Sequence, residues 1–201
     1  MQLRGALAVA LVAVSCRADQ PRAFDPAGLA GPQISPPLPK PELVLRSTDG
    51  AVFDLKKETE GYVTLLFFGY THCPDVCPVH LANIGAAMKR LDPRTASGIK
   101  VVFVTVDPKR DTPEVMRSWL DKFDPRFIGL TGDSASIAWA FTQLRLGHPM
   151  EPVQADTGLY TIAHIALVLA FTSDNLAHVA YPLGIPKDAW TNDLKLLAKG
   201  G

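Results

Sequence analysis

The sequence predicts an α/β domain with a central mixed sheet flanked by helices and an N-terminal β-hairpin. Three observations predict it. Val63–Phe68 is a continuous apolar run of β-formers and aromatics. It is too short for an ordinary helix and reads as a strand buried on both faces. Lys100–Val106 repeats that character, and each run is followed by apolar residues at helical spacing, the pattern of parallel strands joined by right-handed crossovers. The last third changes to two strand-like runs around Ser173-Asp174-Asn175, an antiparallel hairpin.

The chain begins with features foreign to a folded domain. Met1–Arg4 is short and basic, Gly5–Val14 is small and apolar, and Ser15-Cys16 precedes polar residues. The apolar run is too short to span a bilayer as a permanent helix and has the form of a secretory signal over residues 1–15. Ala13-Val14-Ser15-Cys16 resembles a bacterial lipobox, with Ala13 where that motif usually has leucine, so Cys16 is the expected lipidation site. The alternatives are an ordinary signal peptide or an uncleaved anchor. All three place the domain outside the cytoplasm, as a membrane-anchored lipoprotein in the first case. Residues 16–41 then read as a tether, because residues 20–42 carry seven prolines. Twenty such residues in extended form would reach on the order of 60 Å.

The domain is expected from Glu42 to residue 201. Leu43–Leu45 and Val52–Leu55, around Ser47-Thr48-Asp49-Gly50, form the small hairpin. After the first core strand, Val79, Leu81, Ile84, Met88 and Leu91 mark a helix. Asp92-Pro93 and Gly98 read as a loop before the second core strand. Thr112-Pro113-Glu114 is a helix start with threonine as the cap. Phe127–Leu130 is a short strand, and Asp133 or Ser134 caps a helix to about Leu144. Gly147–Gly158 reads as a long loop, Leu159–Ile162 and His164–Phe171 as strand-like, and Leu176–Tyr181 as the returning strand. Pro186 opens a last amphipathic helix with Trp190, Leu194 and Leu197 on one side. A βαβ unit followed by ββα, with cysteines after the first core strand, is the thioredoxin-like order.

Composition bounds the function. The chain has 201 residues, 47% hydrophobic and 20% charged, and a formal net charge of zero. That supports a full core and gives no electrostatic footprint for nucleic acid.

The chemistry concentrates at Cys73 and Cys77, each followed by proline, where the first core strand hands over to a helix. The unpaired N–H groups of a first helical turn favour thiolate, which is both nucleophile and metal ligand. Spacing of four puts both side chains on one face. The pair is therefore a soft-metal chelate, a redox couple, or both; packing alone is the plain alternative. Two sulfurs, with an imidazole added, suit copper or zinc and leave little room for hard cations such as Mg²⁺ or Ca²⁺. With Cys16 lipidated, these are the only two thiols left in an oxidising compartment.

Three segments resemble the SCO/SenC copper-binding proteins that help build the CuA centre of cytochrome c oxidase. Phe68-Gly69-Tyr70-Thr71-His72-Cys73-Pro74-Asp75-Val76-Cys77-Pro78 is similar to the family's metal-site signature. Val106-Asp107-Pro108-Lys109-Arg110-Asp111-Thr112-Pro113 is similar to its second signature, and His164 falls where the family places a third ligand. The resemblance spans residues 42–199. It implies a thioredoxin-like fold and a copper ion, Cu(I) or Cu(II), held by Cys73, Cys77 and His164. It further implies delivery to the CuA-bearing subunit II, and exchange with other extracytoplasmic copper chaperones. The chain departs from the family beside the histidine, with Ala163 in place of an acid and Ile165 in place of a small hydroxyl residue.

The other candidates have plainer readings. His72 is a loop residue that could raise the thiolate character of Cys73. His80 is expected at the surface or in a capping role, His178 on the hairpin surface, and His148 and Met150 in the long loop. Asp107 and Asp111 are expected to serve turn and cap geometry. Asp75 could orient backbone N–H groups, and Tyr70 and Phe68 would wall the site. The competing function is a thiol-disulfide reductase acting on the cysteines of the CuA subunit, for which Cys73 and Cys77 would be the reactive pair. The three-residue gap between them differs from the two-residue gap of thioredoxins.

Overall fold

Every position of β4 (Val63–Gly69) is buried, and the rest of the sheet is assembled around it. The computed structural model describes residues 24, 26–147, 153–154, 160–162 and 165–200. The predicted signal segment, Cys16, His148, Met150, Ala163 and His164 lie outside the described residues.

Beside β4 runs β5 (Ile99–Thr105), parallel and in continuous register from Val63↔Ile99 to Gly69↔Thr105. β6 (Ile128–Thr131) is parallel to β5. On the other side of β4 lies β9 (Leu167–Phe171), antiparallel, followed by β10 (Leu176–Pro182). The predicted N-terminal hairpin is β2 (Val44–Ser47) and β3 (Val52–Asp54), and it joins the sheet antiparallel to β6. With β1 (Gln33–Pro39), the order is β1-β10-β9-β4-β5-β6-β2-β3. This is the mixed sheet that the alternating pattern predicts. Within the stretch read as a long loop, β7 (Val153–Gln154) pairs antiparallel with β8 (Tyr160–Thr161), which lies in the strand-like run expected at Leu159–Ile162.

Because side chains alternate across a strand, β4 feeds two cores. Leu65 and Phe67 face one cluster with α2 (Val76–Met88), α3 (Pro93–Ser97), α4 (Pro113–Leu120) and α6 (Lys187–Gly200). Leu66 and Phe68 face the other, with α1 (Leu55–Glu58), α5 (Ser134–Gln143) and the hairpin residues Leu43 and Leu45. Each fully buried Leu or Phe contributes about 1.5–3 kcal/mol, so the sheet is fixed from both sides.

The structure moves three boundaries. The proline-rich stretch is not a free tether up to residue 41, because β1 pairs with β10 through Gln33↔Val179 and Leu38↔Ala177. Proline donates no ladder hydrogen bond and so is confined to sheet edges; β1 is an edge strand, which is how Pro36, Pro37 and Pro39 are accommodated. The loop expected between Asp92 and Gly98 is a single helical piece, α3, capped by Asp92, whose Oδ1 accepts from the Thr95 N–H at 3.0 Å. The cysteine helix starts at Val76, so Cys77 and Pro78 sit in its first turn. There, proline's missing N–H is no loss.

Candidate metal centre

Gly69 ends β4, and its carbonyl accepts from the Val106 N–H at 2.8 Å. A Cβ at Gly69 would lie 2.8 Å from Cys77 Sγ and 2.8 Å from the Phe103 ring. Only glycine lets the sulfur lie against the strand end. The chain then turns tightly, with the Cys73 N–H donating to the Tyr70 carbonyl at 3.2 Å. Cys73 is 8% exposed and Cys77 fully buried, and both are thiols.

The first N–H groups of α2 have no intrahelical acceptor. Asp75 occupies the cap position but its side chain caps nothing. The cap is a sulfur: Cys73 Sγ accepts from the Cys77 N–H at 3.4 Å. The helix start thus acts on Cys73. Cys77 behaves opposite to the thiolate expectation. Its hydrogen bond to Cys73, its burial and the nearby Cys73 charge push its thiol well above the usual range, because each of these favours the neutral form.

The second signature does more than shape a turn. Asp111 is fully buried and accepts three hydrogen bonds: from Thr71 N at 2.9 Å, Thr71 Oγ1 at 2.5 Å and Thr105 Oγ1 at 2.6 Å. The helix cap expected of this region falls to Thr112, which accepts from the Val115 N–H at 3.3 Å. Asp111 therefore braces the cysteine loop. His72 lies beside it, with Nδ1 3.0 Å from Thr71 Oγ1 and 3.7 Å from Asp111 Oδ1, half exposed.

Asp107 and Arg110 reach the other way. Arg110 pairs with Asp107 through Nε. Tyr160 donates its hydroxyl to Asp107 Oδ1 at 2.9 Å, and its carbonyl accepts from Arg110 at 3.1 Å. The Arg110 guanidinium lies 3.5 Å from the Tyr160 ring centroid, a cation–π contact. Tyr70, buried beside the cysteines, accepts from the Ile162 N–H at 3.3 Å. Residues 160–162 are thus tied to both signatures, two positions short of His164. Among the described residues no three His, Cys, Asp or Glu side chains gather into a metal-holding group, and His164 is outside them.

His80 differs from its surface expectation. It is 2% exposed, its ring lies 5.2 Å from Phe67 and edge-on to Trp190 at 6.5 Å, and it hydrogen-bonds the Ala166 backbone. Burial holds its pKa down. His178 is on the hairpin as expected, 2.8 Å from Asp174 Oδ2. Sequence reasoning did not single out Arg110 or Tyr160. The available signal was the acid–arginine–acid grouping Asp107, Arg110 and Asp111, too many charges for a simple turn after a buried strand.

The SCO1/SenC family model matches residues 38–199. The chain belongs to the SCO1/SenC family. A SCO2-like protein of Rickettsia prowazekii is 36% identical over 116 residues, 58% of this chain and 56% of that protein. The human mitochondrial SCO2 homolog is 33% identical over 122 residues, 60% of this chain and 46% of that one. The chain thus spans about half the length of the curated relatives it matches. Among solved structures, Bradyrhizobium japonicum ScoI with copper bound is similar, with TM-score 0.70 and 35% identity over 80% of this chain and 99% of that one. Arabidopsis thaliana ScoI with copper bound has TM-score 0.69 and 27% identity, covering 81% and 97%. The mixed sheet with the cysteine loop after β4 is the thioredoxin-like fold of this SCO1/SenC group.

Proposed function

We propose that this SCO1/SenC chain is a membrane-tethered copper chaperone. It takes up one copper ion at Cys73, Cys77 and His164 and passes it to the CuA-bearing subunit II of cytochrome c oxidase. The observation that carries the reading is the pair of buried sulfurs at the end of β4, with residues 160–162 fastened beside them by Tyr70, Asp107 and Arg110. Two sulfurs select a soft ion, and an added imidazole makes Cu(II) acceptable as well as Cu(I). Loading displaces the thiol protons, since the ligand is thiolate. Delivery proceeds by ligand exchange, the receiver's donors replacing these one at a time. Copper arrives from other extracytoplasmic copper chaperones. Cys16 carries the lipid that holds the chain at the membrane. The copper-bound ScoI relatives support the choice of metal.

The test is anaerobic copper titration of the reduced chain against His164→Ala. The expected result is one tight copper per chain and a thiolate-to-Cu(II) absorption band that the variant loses. Unchanged binding by His164→Ala would remove the three-ligand site.

A second reading has an observation of its own. The Cys73–Cys77 hydrogen bond and the amide on Cys73 Sγ arrange an attacking and a resolving thiol. Cys73 would attack a disulfide of the CuA subunit, forming a mixed disulfide. Cys77 would then release the reduced receiver and leave a Cys73–Cys77 disulfide. Activity that survives His164→Ala and is lost in Cys73→Ser would favour this role.

A further inference from the structure

Asp193, fully buried in the middle of α6, accepts from Ala30 N at 2.8 Å, Gly31 N at 3.3 Å and the Tyr181 hydroxyl at 3.1 Å. A Cβ at Gly31 would lie 2.4 Å from Val179 and 2.7 Å from Tyr181, so glycine alone permits the approach. The segment entering β1 is therefore fastened to α6 and β10. Upstream of it, the Phe24 ring lies 4.9 Å from that of His178. A Cβ on Gly200, at the end of α6, would lie 2.9 Å from Phe24.

This places Phe24 at one particular end of the domain. Next to Gly200, Lys199 lines a cavity of about 290 Å³ with Arg94, Gly61, Val63 and Gly98, at the starts of β4 and β5. The cysteine loop follows the opposite end of β4. Seven residues of strand separate the two ends, about 20 Å at the usual rise. Eight peptide steps join Phe24 to Cys16, which span at most about 28 Å. That is roughly half the reach expected if the whole proline-rich stretch were a tether. Among the described residues, neither Arg94 nor Lys199 takes part in an ion pair.

We propose that the end of the domain formed by the starts of β4 and β5 and the close of α6 is its lipid-facing surface, with Arg94 and Lys199 meeting anionic headgroups and the cysteine loop turned away from the bilayer. The proposal rests on the reading that Gly5–Cys16 anchors the chain, and it holds for a lipid on Cys16 as for an uncleaved apolar anchor. It also describes the receiver. A partner in the same membrane has to carry its metal-accepting groups on a domain that projects about 20 Å or more above the headgroups.

The experiment is hydrogen exchange on the full chain, produced with its own N-terminus. It is run in nanodiscs of phosphatidylcholine with phosphatidylglycerol, in phosphatidylcholine alone, and in lipid-free buffer with inorganic phosphate. Slowed exchange at residues 93–98 and 198–200 in the anionic discs is expected, with residues 70–77 unchanged. The doubly charge-reversed variant Arg94→Glu, Lys199→Glu should lose that protection at least several-fold, since each basic residue near an anionic surface is worth about five-fold. Its copper binding should be unaltered. Protection of residues 70–77, equal protection by inorganic phosphate, or none in a chain whose intact mass carries the lipid would overturn the orientation. A chain that neither carries lipid nor enters the discs overturns the anchor, and the orientation with it. Neither result touches the copper titration.

Discussion

Thr71 donates to Asp111 twice, through its amide at 2.9 Å and its hydroxyl at 2.5 Å. A residue two before Cys73 is thus held by one that is 40 positions further on. The two signatures of the sequence are one structure.

The first prediction concerns that brace. Asp111→Ala leaves two hydroxyls and an amide without their acceptor in a buried place, so a cost of about 3–5 kcal/mol is expected. Asp111→Asn keeps one carbonyl oxygen, and the Thr71 hydroxyl can rotate to accept from the new NH₂; about 1–2 kcal/mol is expected there. Urea unfolding reads both. An Asp111→Asn that costs nothing beside a costly Asp111→Ala would mean that shape, not acceptance, is what Asp111 supplies.

Gly69→Ala is the second. The new methyl would sit 2.8 Å from Cys77 Sγ and from the Phe103 ring, well inside contact distance. Overpacking of this kind costs about 1–3 kcal/mol. The sulfur is the more easily moved neighbour, so copper affinity should fall by more than stability. A crystal structure of the variant with Cys77 unmoved would refute this.

The two cysteines should react unequally. Cys77 is fully buried and Cys73 slightly exposed. Iodoacetamide should modify Cys73 first, by roughly ten-fold or more, because Cys77 is reached only after local opening. The largest cause raising the Cys77 thiol is its hydrogen bond to Cys73. Cys73→Ala removes it, so Cys77 should ionise at lower pH in that variant. Peptide mapping by mass spectrometry against pH measures both effects.

What the sequence disclosed, and what it did not, divides along physical lines. The core strands were legible because unbroken apolar runs such as Val63–Phe68 have few alternatives once their length excludes a helix. The helix start at Thr112-Pro113 was legible from cap chemistry alone. β1 was hidden because its prolines argue against a strand, and only its edge position makes them tolerable. His80 was misjudged because it is buried between Phe67 on the core strand and Trp190, 110 positions away, which no local pattern reports. The roles of Asp107 and Arg110 likewise depend on Tyr160 and on a chain reversal invisible to spacing. Local chemistry marked the two cysteines; what surrounds them is tertiary.

The last prediction uses a lysine remote from the cysteines. Lys40 is 1% exposed, and its ammonium donates to Thr59 Oγ1 at 2.8 Å, Thr64 Oγ1 at 3.2 Å and the Thr59 carbonyl at 3.3 Å. Among the described residues, neutral oxygens satisfy its protons and no carboxylate is in contact; burial lowers its pKa from 10.5 to about 8, against a smaller upward pull from Asp174. A lysine whose folded pKa is depressed leaves the unfolded chain holding more protons between the two values. Stability from this group therefore rises as pH climbs from about 8 towards 10.5, by at most about 3 kcal/mol. Lys40→Met keeps the length of the side chain and removes the titration. The wild-type chain should gain urea resistance across that interval relative to Lys40→Met, and the two curves should run parallel below pH 7. A difference that is flat from pH 7 to 10.5 would show that Lys40 remains charged in the fold throughout.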